Sequence, residues 1–365
     1  MNRVSTILLL RALFACASFL VAESASAAPC TSASAACTEW INVSGGPARA
    51  LVYRTYSLDA RNDGITRALI MVHGGSRDAH NYFRHVLAAA FLAGALDDTV
   101  IIAPRFAANN GSNCRDTLSP DELNWNCQRG PDHWAVGGIA VDNGKISSYD
   151  IVDEILRKLS RKDAFPNLKS IVVAGHSAGG QFVTRYGTVN QVHDRLGVPI
   201  TYVVANSSSY AYPDSLRPTP GAISPSVAAA APGYTPPLSA KPPAPFVPFG
   251  DARNCTAYDS WPYGLQNRTG YGARLGDDQL TKQLAARQVT YLLGQYDILP
   301  LFNFDDSCSA MAQGPTRLAR GMAFARYVNE KYGVQQKALV VPGCGHSARC
   351  MYTADLALPL IFPTQ

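Results

Sequence analysis

The chain reads VVAGHSAGGQF from Val172 to Phe182, and a single serine, Ser177, stands in the middle of this stretch. The β-branched residues before it predict a buried strand, and residues 181–189 predict a helix. A serine in a sharp turn between a strand and a helix has a strained backbone, and a side chain at Gly175 or Gly179 would collide across that turn. The stretch therefore predicts that Ser177 is a nucleophile whose hydroxyl is held clear of a sheet.

Short apolar runs alternate with helical patterns along the rest of the chain. The predicted strands are residues 49–56, 69–73, 99–104, 170–174, 200–205, 289–294 and 338–341. The predicted helices are residues 79–96, 149–162, 178–191, 277–287 and 314–331. This alternation is typical of a mostly parallel sheet with crossover helices. We therefore predict an α/β fold of buried strands and covering helices.

A serine hydroxyl needs a base to become a good nucleophile, and the C-terminal region supplies a candidate in His346. It lies in a glycine-rich loop after the predicted strand 338–341, and Cys344 and Cys350 bracket it. A disulfide at these cysteines would restrict the loop and preorganise the imidazole. We predict that His346 takes the proton of the nucleophile.

The acid that orients this base should come from the loop after the preceding strand. Asp297 lies directly beyond the apolar run 289–294 and is the preferred candidate. Asp305 and Asp306 belong to the same loop system and stay open as alternatives. The acid would hold the imidazole in the required tautomer and stabilise the imidazolium.

A tetrahedral intermediate needs two hydrogen-bond donors for its oxyanion. One candidate is the backbone amide of Ala178, which follows the nucleophile at the predicted start of a helix. The other is the amide of Gly75, with Ser76 as its neighbour, in the loop after an early strand that ends in the letters HGG. We interpret His73 as a structural side chain that fixes this loop, and His176 as a packing or pocket-lining residue.

Taken in order, these residues resemble the α/β-hydrolase superfamily, in its exported serine esterase type. The HGG run, the GHSAG stretch around Ser177, then Asp297 and then His346 follow the superfamily's order of nucleophile, acid and base, over residues 49–350. The resemblance implies a mostly parallel sheet of about eight strands, with the triad in loops at its carboxyl edge. The chain departs from the variant with three consecutive glycines, because a serine follows the second glycine.

Residues 207–276 form the largest interruption of the α/β pattern. From Arg217 to Pro248 this insertion is dominated by proline and alanine, so it lacks the amide donors of a helix or a central strand and is predicted to run as an extended loop. A lid over the site and a spacer without a role in binding are both open interpretations. Residues 28–365 are otherwise predicted to form a single domain.

The N-terminus has the pattern of a secretory signal peptide. A basic start precedes an apolar run after Arg11, and the pattern ends in an A-x-A site, which predicts cleavage after Ala27. A lipoprotein signal at Cys16 is a poorer alternative, because Phe14 puts a bulky ring where a small residue is expected. The mature protein is predicted to be secreted or periplasmic.

The cysteines agree with export. Removal of residues 1–27 leaves an even number of cysteines, which predicts four disulfides. The simplest pairing is local: Cys30 with Cys37, Cys114 with Cys127, Cys255 with Cys308, and Cys344 with Cys350. Zinc binding is the alternative, but the chain has no C-x-x-C motif.

The composition of the chain argues against several classes of binding partner. The 365 residues are 47% hydrophobic with a formal charge of +5, and the basic residues are scattered, so no nucleic-acid partner is predicted. After the signal peptide no apolar stretch is long enough to span a membrane. We expect neither a metal nor a cofactor.

These features favour an exported esterase that acts on a small-molecule or polymeric carboxylic ester through an acyl-enzyme. An exported peptidase or amidase with the same triad is an alternative, and a binding protein that retains the fold without the chemistry is another. Six aromatic residues in the irregular segments can either line an acyl pocket or be buried as small satellite cores under the loops: Trp125, Trp134, Tyr210, Tyr212, Trp261 and Tyr263.

Overall fold

A computed structural model of the chain describes residues 28–111, 114–219 and 245–364. The predicted signal peptide, residues 1–27, lies outside these residues, and so does the central part of the proline- and alanine-rich insertion. Signal cleavage therefore stays a prediction.

The described residues form twelve strands. They are β1 (Thr38–Asn42), β2 (Arg49–Arg54), β3 (Arg67–Val72), β4 (Thr99–Pro104), β5 (Ile139–Ala140), β6 (Asn143–Ser147), β7 (Ser170–His176), β8 (Ile200–Ala205), β9 (Leu216–Pro218), β10 (Phe246–Pro248), β11 (Val289–Gly294) and β12 (Lys337–Val341). Eight of these described strands form one sheet in the order β1-β2-β4-β3-β7-β8-β11-β12. Strand β2 is antiparallel to both of its neighbours, whereas the pairs from β4 to β12 are parallel. The predicted fold class is confirmed.

The helices cover both faces of this sheet. They are α1 (Ala79–Leu92), α2 (Ser148–Leu159), α3 (Ala178–Val189), α4 (Asp277–Ala286), α5 (Cys308–Met311), α6 (Arg317–Tyr332), α7 (Ala348–Thr353) and α8 (Leu358–Ile361). Residues of α2, α3, α4 and α6 pack into one apolar cluster, and those of α1, α7 and α8 pack into a second. The sheet lies between the two clusters.

Strand β3 shows why the central strands read as continuous apolar runs. Ile70 and Val72 belong to the first cluster, whereas Leu69 and Met71 belong to the second. All four side chains are fully buried. Because successive side chains of a strand point to opposite faces, a strand covered by helices on both faces must be apolar at every position.

The four predicted disulfides are all present with the local pairing, and their Cα–Cα distances are between 5.5 and 6.2 Å. All eight cysteines of the described ranges are therefore in disulfides, and none of these eight is a thiolate that could bind zinc. Within the described ranges, no group of histidine, cysteine and carboxylate side chains is arranged to hold a metal ion.

The proline- and alanine-rich segment was predicted to run as an extended loop, and this is wrong at its two ends. There the chain forms the short strands β9 and β10, which pair in a two-stranded antiparallel sheet. Pro218 and Pro248 stand at the strand ends, and the central pair is Arg217 with Val247, so both central residues keep an amide donor. The lid and spacer interpretations of residues 207–276 both stay open.

Arg217 anchors this small sheet to the body of the protein. Its fully buried guanidinium donates to the Tyr258 carbonyl oxygen at 2.6 Å and lies over the rings of Tyr212 and Tyr258, at 4.5 and 5.0 Å.

The described helices were also compared with the length and hydropathy that a membrane span requires. None of them is both long and apolar enough to cross a membrane.

Candidate active site

Ser177 occupies the turn between β7 and α3, with a left-handed backbone at φ 59° and ψ −118°. The two flanking glycines are required by space, as the sequence predicts. A Cβ atom at Gly175 would overlap the carbonyl oxygen of Gly179, and one at Gly179 would overlap that of Val72. The turn therefore holds the serine side chain at the carboxyl end of the central strand.

The three side chains predicted to form a triad are in contact. The Nε2 atom of His346 is 2.9 Å from Ser177 Oγ, and its Nδ1 atom is 2.8 Å from Asp297 Oδ2. Because a carboxylate can only accept, Nδ1 carries the proton and Nε2 is free to accept the serine proton. The nucleophile follows β7, the acid follows β11 and the base follows β12, so the carboxyl ends of three strands bring them together.

The two alternative acids have other surroundings and do not contact the histidine. Asp305 is buried, and its Oδ2 accepts from the Tyr263 hydroxyl at 2.8 Å, while its Oδ1 accepts from the Ser307 amide at 3.2 Å. Asp306 is exposed to solvent. Of the three candidates, Asp297 is the one that contacts His346.

Arg317, at the start of α6, is a residue of this site that the sequence analysis missed. Its fully buried guanidinium lies 3.2 Å from Asp297 Oδ1, so each oxygen of this carboxylate has its own partner. It also donates to the carbonyl oxygens of Leu301 and Phe302, both at 2.8 Å. The Phe302 ring stacks on His346 with ring centroids 5.9 Å apart. One arginine thus stabilises both the acid and the loop that covers the base.

His176 is buried beside the triad, as the packing interpretation requires. Its Nδ1 atom is 3.0 Å from the Tyr82 hydroxyl, and its ring centroid is 4.6 Å from that of His346. Burial, and then the neighbouring His346, holds the pKa of His176 well below its usual value, so the ring is neutral.

Asn206, at the end of β8, was also missed. Its Oδ1 accepts from the Gly294 amide at 2.7 Å, and its Nδ2 donates to the Gly345 carbonyl oxygen at 3.0 Å. Gly294 ends β11, and Gly345 directly precedes His346. This side chain therefore ties the base-bearing loop to two strands of the sheet.

His73 fixes the loop that carries the second predicted oxyanion donor. Its Nδ1 donates to the Gly74 carbonyl oxygen at 2.9 Å, and its Nε2 accepts from the Phe106 amide at 3.0 Å. Burial lowers the pKa of His73 to about 4. The neutral ring satisfies both backbone groups, which agrees with the structural role predicted for it.

Acid is expected to destabilise the protein through His73. The imidazole of His73 takes up a proton near pH 6.5 in the unfolded chain and near pH 4 in the folded chain. Between these two pH values the unfolded state therefore binds more protons than the folded state. The free energy of unfolding therefore decreases as the pH falls through this window. In His73→Asn the decrease from pH 7 to 4.5 should be smaller by about 2 kcal/mol. Urea unfolding at several pH values measures this, and an unaltered pH dependence would contradict it.

The site opens into a cleft of about 750 Å³ that Ser177 lines together with Gly75, Ser76 and Ala178. The two residues predicted to supply the oxyanion donors thus line the cleft that contains the nucleophile, and the donor role of their amides stays a prediction. Most of the described side chains that line the cleft are polar, among them Arg77, Gln128, Arg129, His133, Gln181 and Tyr263.

Five of the six aromatic residues considered as pocket lining are buried instead. They belong to the main apolar cluster and not to small satellite cores, which corrects the prediction: Trp125, Trp134, Tyr210, Tyr212 and Trp261. Tyr263 lines the cleft. The loops above this face of the sheet are thus an extension of the core, because their aromatic side chains pack on core residues: Tyr210 stacks on Phe324, and Trp134 lies tilted against Phe182.

Comparison with known families agrees with this geometry. The model of the alpha/beta hydrolase family matches residues 69–356. The chain belongs to the alpha/beta hydrolase family. The matched range contains the hydrogen-bonded serine, histidine and aspartate of this hydrolase and its strands from β4 to β12. No curated protein sequence matches the chain at a significant level.

Two solved structures share the alpha/beta hydrolase fold with this chain. A poly(3-hydroxybutyrate) depolymerase from Bordetella parapertussis is 19% identical with a TM-score of 0.53, over 87% of this chain and 85% of the other. Poly(aspartic acid) hydrolase-1 from Sphingomonas sp. KT-1 is 20% identical with a TM-score of 0.56, over 89% and 97%. At these identities the likeness concerns the fold.

Proposed function

We propose that this alpha/beta hydrolase is an exported serine esterase that cleaves carboxylic esters through an acyl-enzyme on Ser177. The observation that carries the proposal is the continuous series of hydrogen bonds from Asp297 through His346 to the serine hydroxyl, at 2.8 and 2.9 Å. A nucleophile, a base within reach of its proton and an acid that fixes the base are the parts that such catalysis requires.

In the proposed reaction Ser177 Oγ attacks the ester carbonyl carbon while His346 Nε2 takes the hydroxyl proton. The amides of Gly75 and Ala178 donate to the resulting oxyanion. When the carbon–oxygen bond to the alcohol breaks, His346 gives its proton to the departing oxygen. Water then attacks the acyl group with the same histidine as base, which releases the acid and restores the serine hydroxyl.

Export is the second part of the proposal. The signal-peptide pattern of residues 1–27 supports it, and so do the four disulfides, because such bonds persist in oxidising compartments. Secretion and the periplasm remain the two destinations that this pattern indicates.

The polarity of the cleft supports small or polar esters over long fatty acyl esters. A long alkyl chain would have to displace water from guanidinium, amide and hydroxyl groups without replacing their hydrogen bonds, which is unfavourable. A polymeric ester remains a candidate substrate, since its repeating carbonyl groups can accept hydrogen bonds and since a depolymerase shares the fold.

The proposal is tested with a fluorophosphonate probe and with paired substrates. We expect the mature protein to be labelled, with the adduct mapped by peptide mass spectrometry to Ser177. We also expect hydrolysis of 4-nitrophenyl butyrate at least about 100-fold faster than that of a peptide 4-nitroanilide, because an amine leaves an acyl group less readily than an alcohol does. Faster cleavage of the anilide would favour the peptidase, and absence of labelling would favour a binding protein.

A further inference from the structure

One wall of the cleft contains buried positive charge. Ser208, Tyr263 and Asp305 line the cleft on this side. Four arginines lie in or behind it, and we call them the basic wall: Arg129, Arg185, Arg317 and Arg320.

Arg185, on α3, is fully buried, and within the described residues its guanidinium donates to three uncharged groups. It donates to the carbonyl oxygens of Pro262 at 2.8 Å and Gln181 at 3.1 Å, and to Ser209 Oγ at 3.0 Å. Pro262 and Gln181 line the cleft themselves. A buried guanidinium held by neutral acceptors retains a favourable interaction with any anion that comes near it.

Two arginines of α6 contact the same wall through Ser208. Arg317 donates to its Oγ at 2.9 Å, and Arg320 donates to its carbonyl oxygen at 2.7 Å. Arg320 also packs over the Phe304 ring at 4.5 Å and is fully buried. Positive charge thus lies directly behind a residue that lines the cleft.

Arg129 brings the charge to the solvent side. Its side chain is 53% exposed, and it holds its position by donating to the carbonyl oxygens of Asn303 and Phe304 at 2.7 and 3.0 Å. Its Nη1 is 3.7 Å from Asp305 Oδ1. It is therefore the member of the basic wall that an entering ligand can reach.

The positive charges of the basic wall exceed the negative charges. Two carboxylates, Asp297 and Asp305, form ion pairs with these four arginines in the described part of the chain, which leaves two positive charges uncompensated. The pair of Arg77 with Asp116 at 2.7 Å adds no net charge. Burial, then Arg129, Arg77 and Arg185, lowers the pKa of His133 to about 3, as expected for a lining residue in a positive field.

We propose that the basic wall binds a carboxylate of the substrate, so that the preferred esters are acidic esters, with a free carboxylate on a short arm beside the scissile bond. This inference rests on the proposed esterase function. Arg129 and Ser177 line the same cleft, and a carboxylate bound at this wall gains charge-assisted hydrogen bonds from Arg129 and the attraction of the buried arginines behind it.

The test compares mono(4-nitrophenyl) glutarate with 4-nitrophenyl valerate, which have five-carbon acyl groups with and without a terminal carboxylate. We expect the wild type to prefer the glutarate, and the ratio of the two kcat/KM values to fall about tenfold in Arg129→Gln. Arg129→Lys should restore part of the ratio because it restores the charge. Asp305→Asn, which removes a competing negative charge, should raise the ratio.

The matched control is Arg157→Gln. Arg157 lies on α2 and is about as exposed as Arg129, so its substitution should leave the ratio unchanged.

Each outcome decides the question. A ratio that does not change in Arg129→Gln and Asp305→Asn overturns the inference, and so does an equal loss of both activities, which would mean that Arg129 serves only to hold the loop. If neither ester is cleaved, the esterase proposal fails, and glutarate binding still tests the basic wall. We expect glutarate, and not glutaramide, to raise the melting temperature of the wild type, and Arg129→Gln to abolish this shift; equal shifts with both compounds would overturn the inference.

Discussion

Ser177→Gly is expected to abolish ester hydrolysis and, at the same time, to stabilise the fold. Without the hydroxyl there is no acyl-enzyme, so kcat should fall at least about 10⁴-fold. The stabilisation follows from the backbone, because φ is 59° and ψ is −118° at this serine. Non-glycine residues in such conformations cost about 1 to 3 kcal/mol, and the greater freedom of glycine in the unfolded chain offsets about 0.5 to 1 kcal/mol of the relief.

The matched control is Ser177→Ala. It removes the same hydroxyl and keeps a Cβ in the same backbone conformation, so it should be equally inactive without the gain in stability. Urea unfolding of both variants together with rates on 4-nitrophenyl butyrate separates the two effects, and a difference of about 1 kcal/mol between glycine and alanine is expected. A glycine variant less stable than the alanine variant would show that the turn is not strained.

Asp297→Asn is expected to combine a large loss of activity with a loss of stability. An amide in place of the carboxylate no longer fixes the His346 tautomer, so kcat should fall about 10⁴-fold. The same change leaves the fully buried Arg317 without its ion-pair partner, which should cost about 3 kcal/mol in the free energy of unfolding. Rates on the ester and urea unfolding measure the two losses.

Two further variants make this prediction sharper. Asp306→Asn changes an exposed carboxylate of the same loop and should retain the wild-type rate and stability. The double variant Asp297→Asn/Arg317→Gln should recover part of the stability and none of the activity, because it removes the unpaired charge. A rate near that of the wild type in Asp297→Asn would mean that another carboxylate orients the base.

The sequence predicts the sheet well where strands are buried on both sides. The strands Thr99–Pro104, Ile200–Ala205 and Val289–Gly294 have the predicted bounds, because helices cover both of their faces and leave continuous apolar runs. Strand Thr38–Asn42 was missed. It lies at the edge of the sheet, where partial exposure allows polar residues such as Thr38 and Glu39 and removes the apolar signal.

The three central residues of the site were predictable because each follows a strand. Ser177 has its glycines, His346 has its glycine-rich loop between two cysteines, and Asp297 is the first carboxylate after β11. A position directly after a strand can be recognised from the local sequence. Because the strands are parallel, their carboxyl ends lie at the same edge of the sheet, so residues that follow them come close together.

The residues that hold this centre in place were not predictable in the same way. Arg317 is one of several arginines on a helix whose inward face the sequence does not mark, and Asn206 is a single amide after a strand. Their partners lie 20 and 88 residues away in the chain, so no local pattern connects them. The same holds for Trp134 and Tyr210, whose burial depends on how the loops fold back onto the sheet.

If the protein is exported as proposed, the bridge between Cys344 and Cys350 determines where the site becomes fully organised. Newly made chains would still be in a reducing cytosol, where such a bond does not persist, so the loop that bears His346 would be held by the Asn206 contact without the bridge. Under the proposed export, the bond forms only after translocation. The producing cell's own esters would thus meet a poorly organised centre, and full reactivity would develop outside the cytosol.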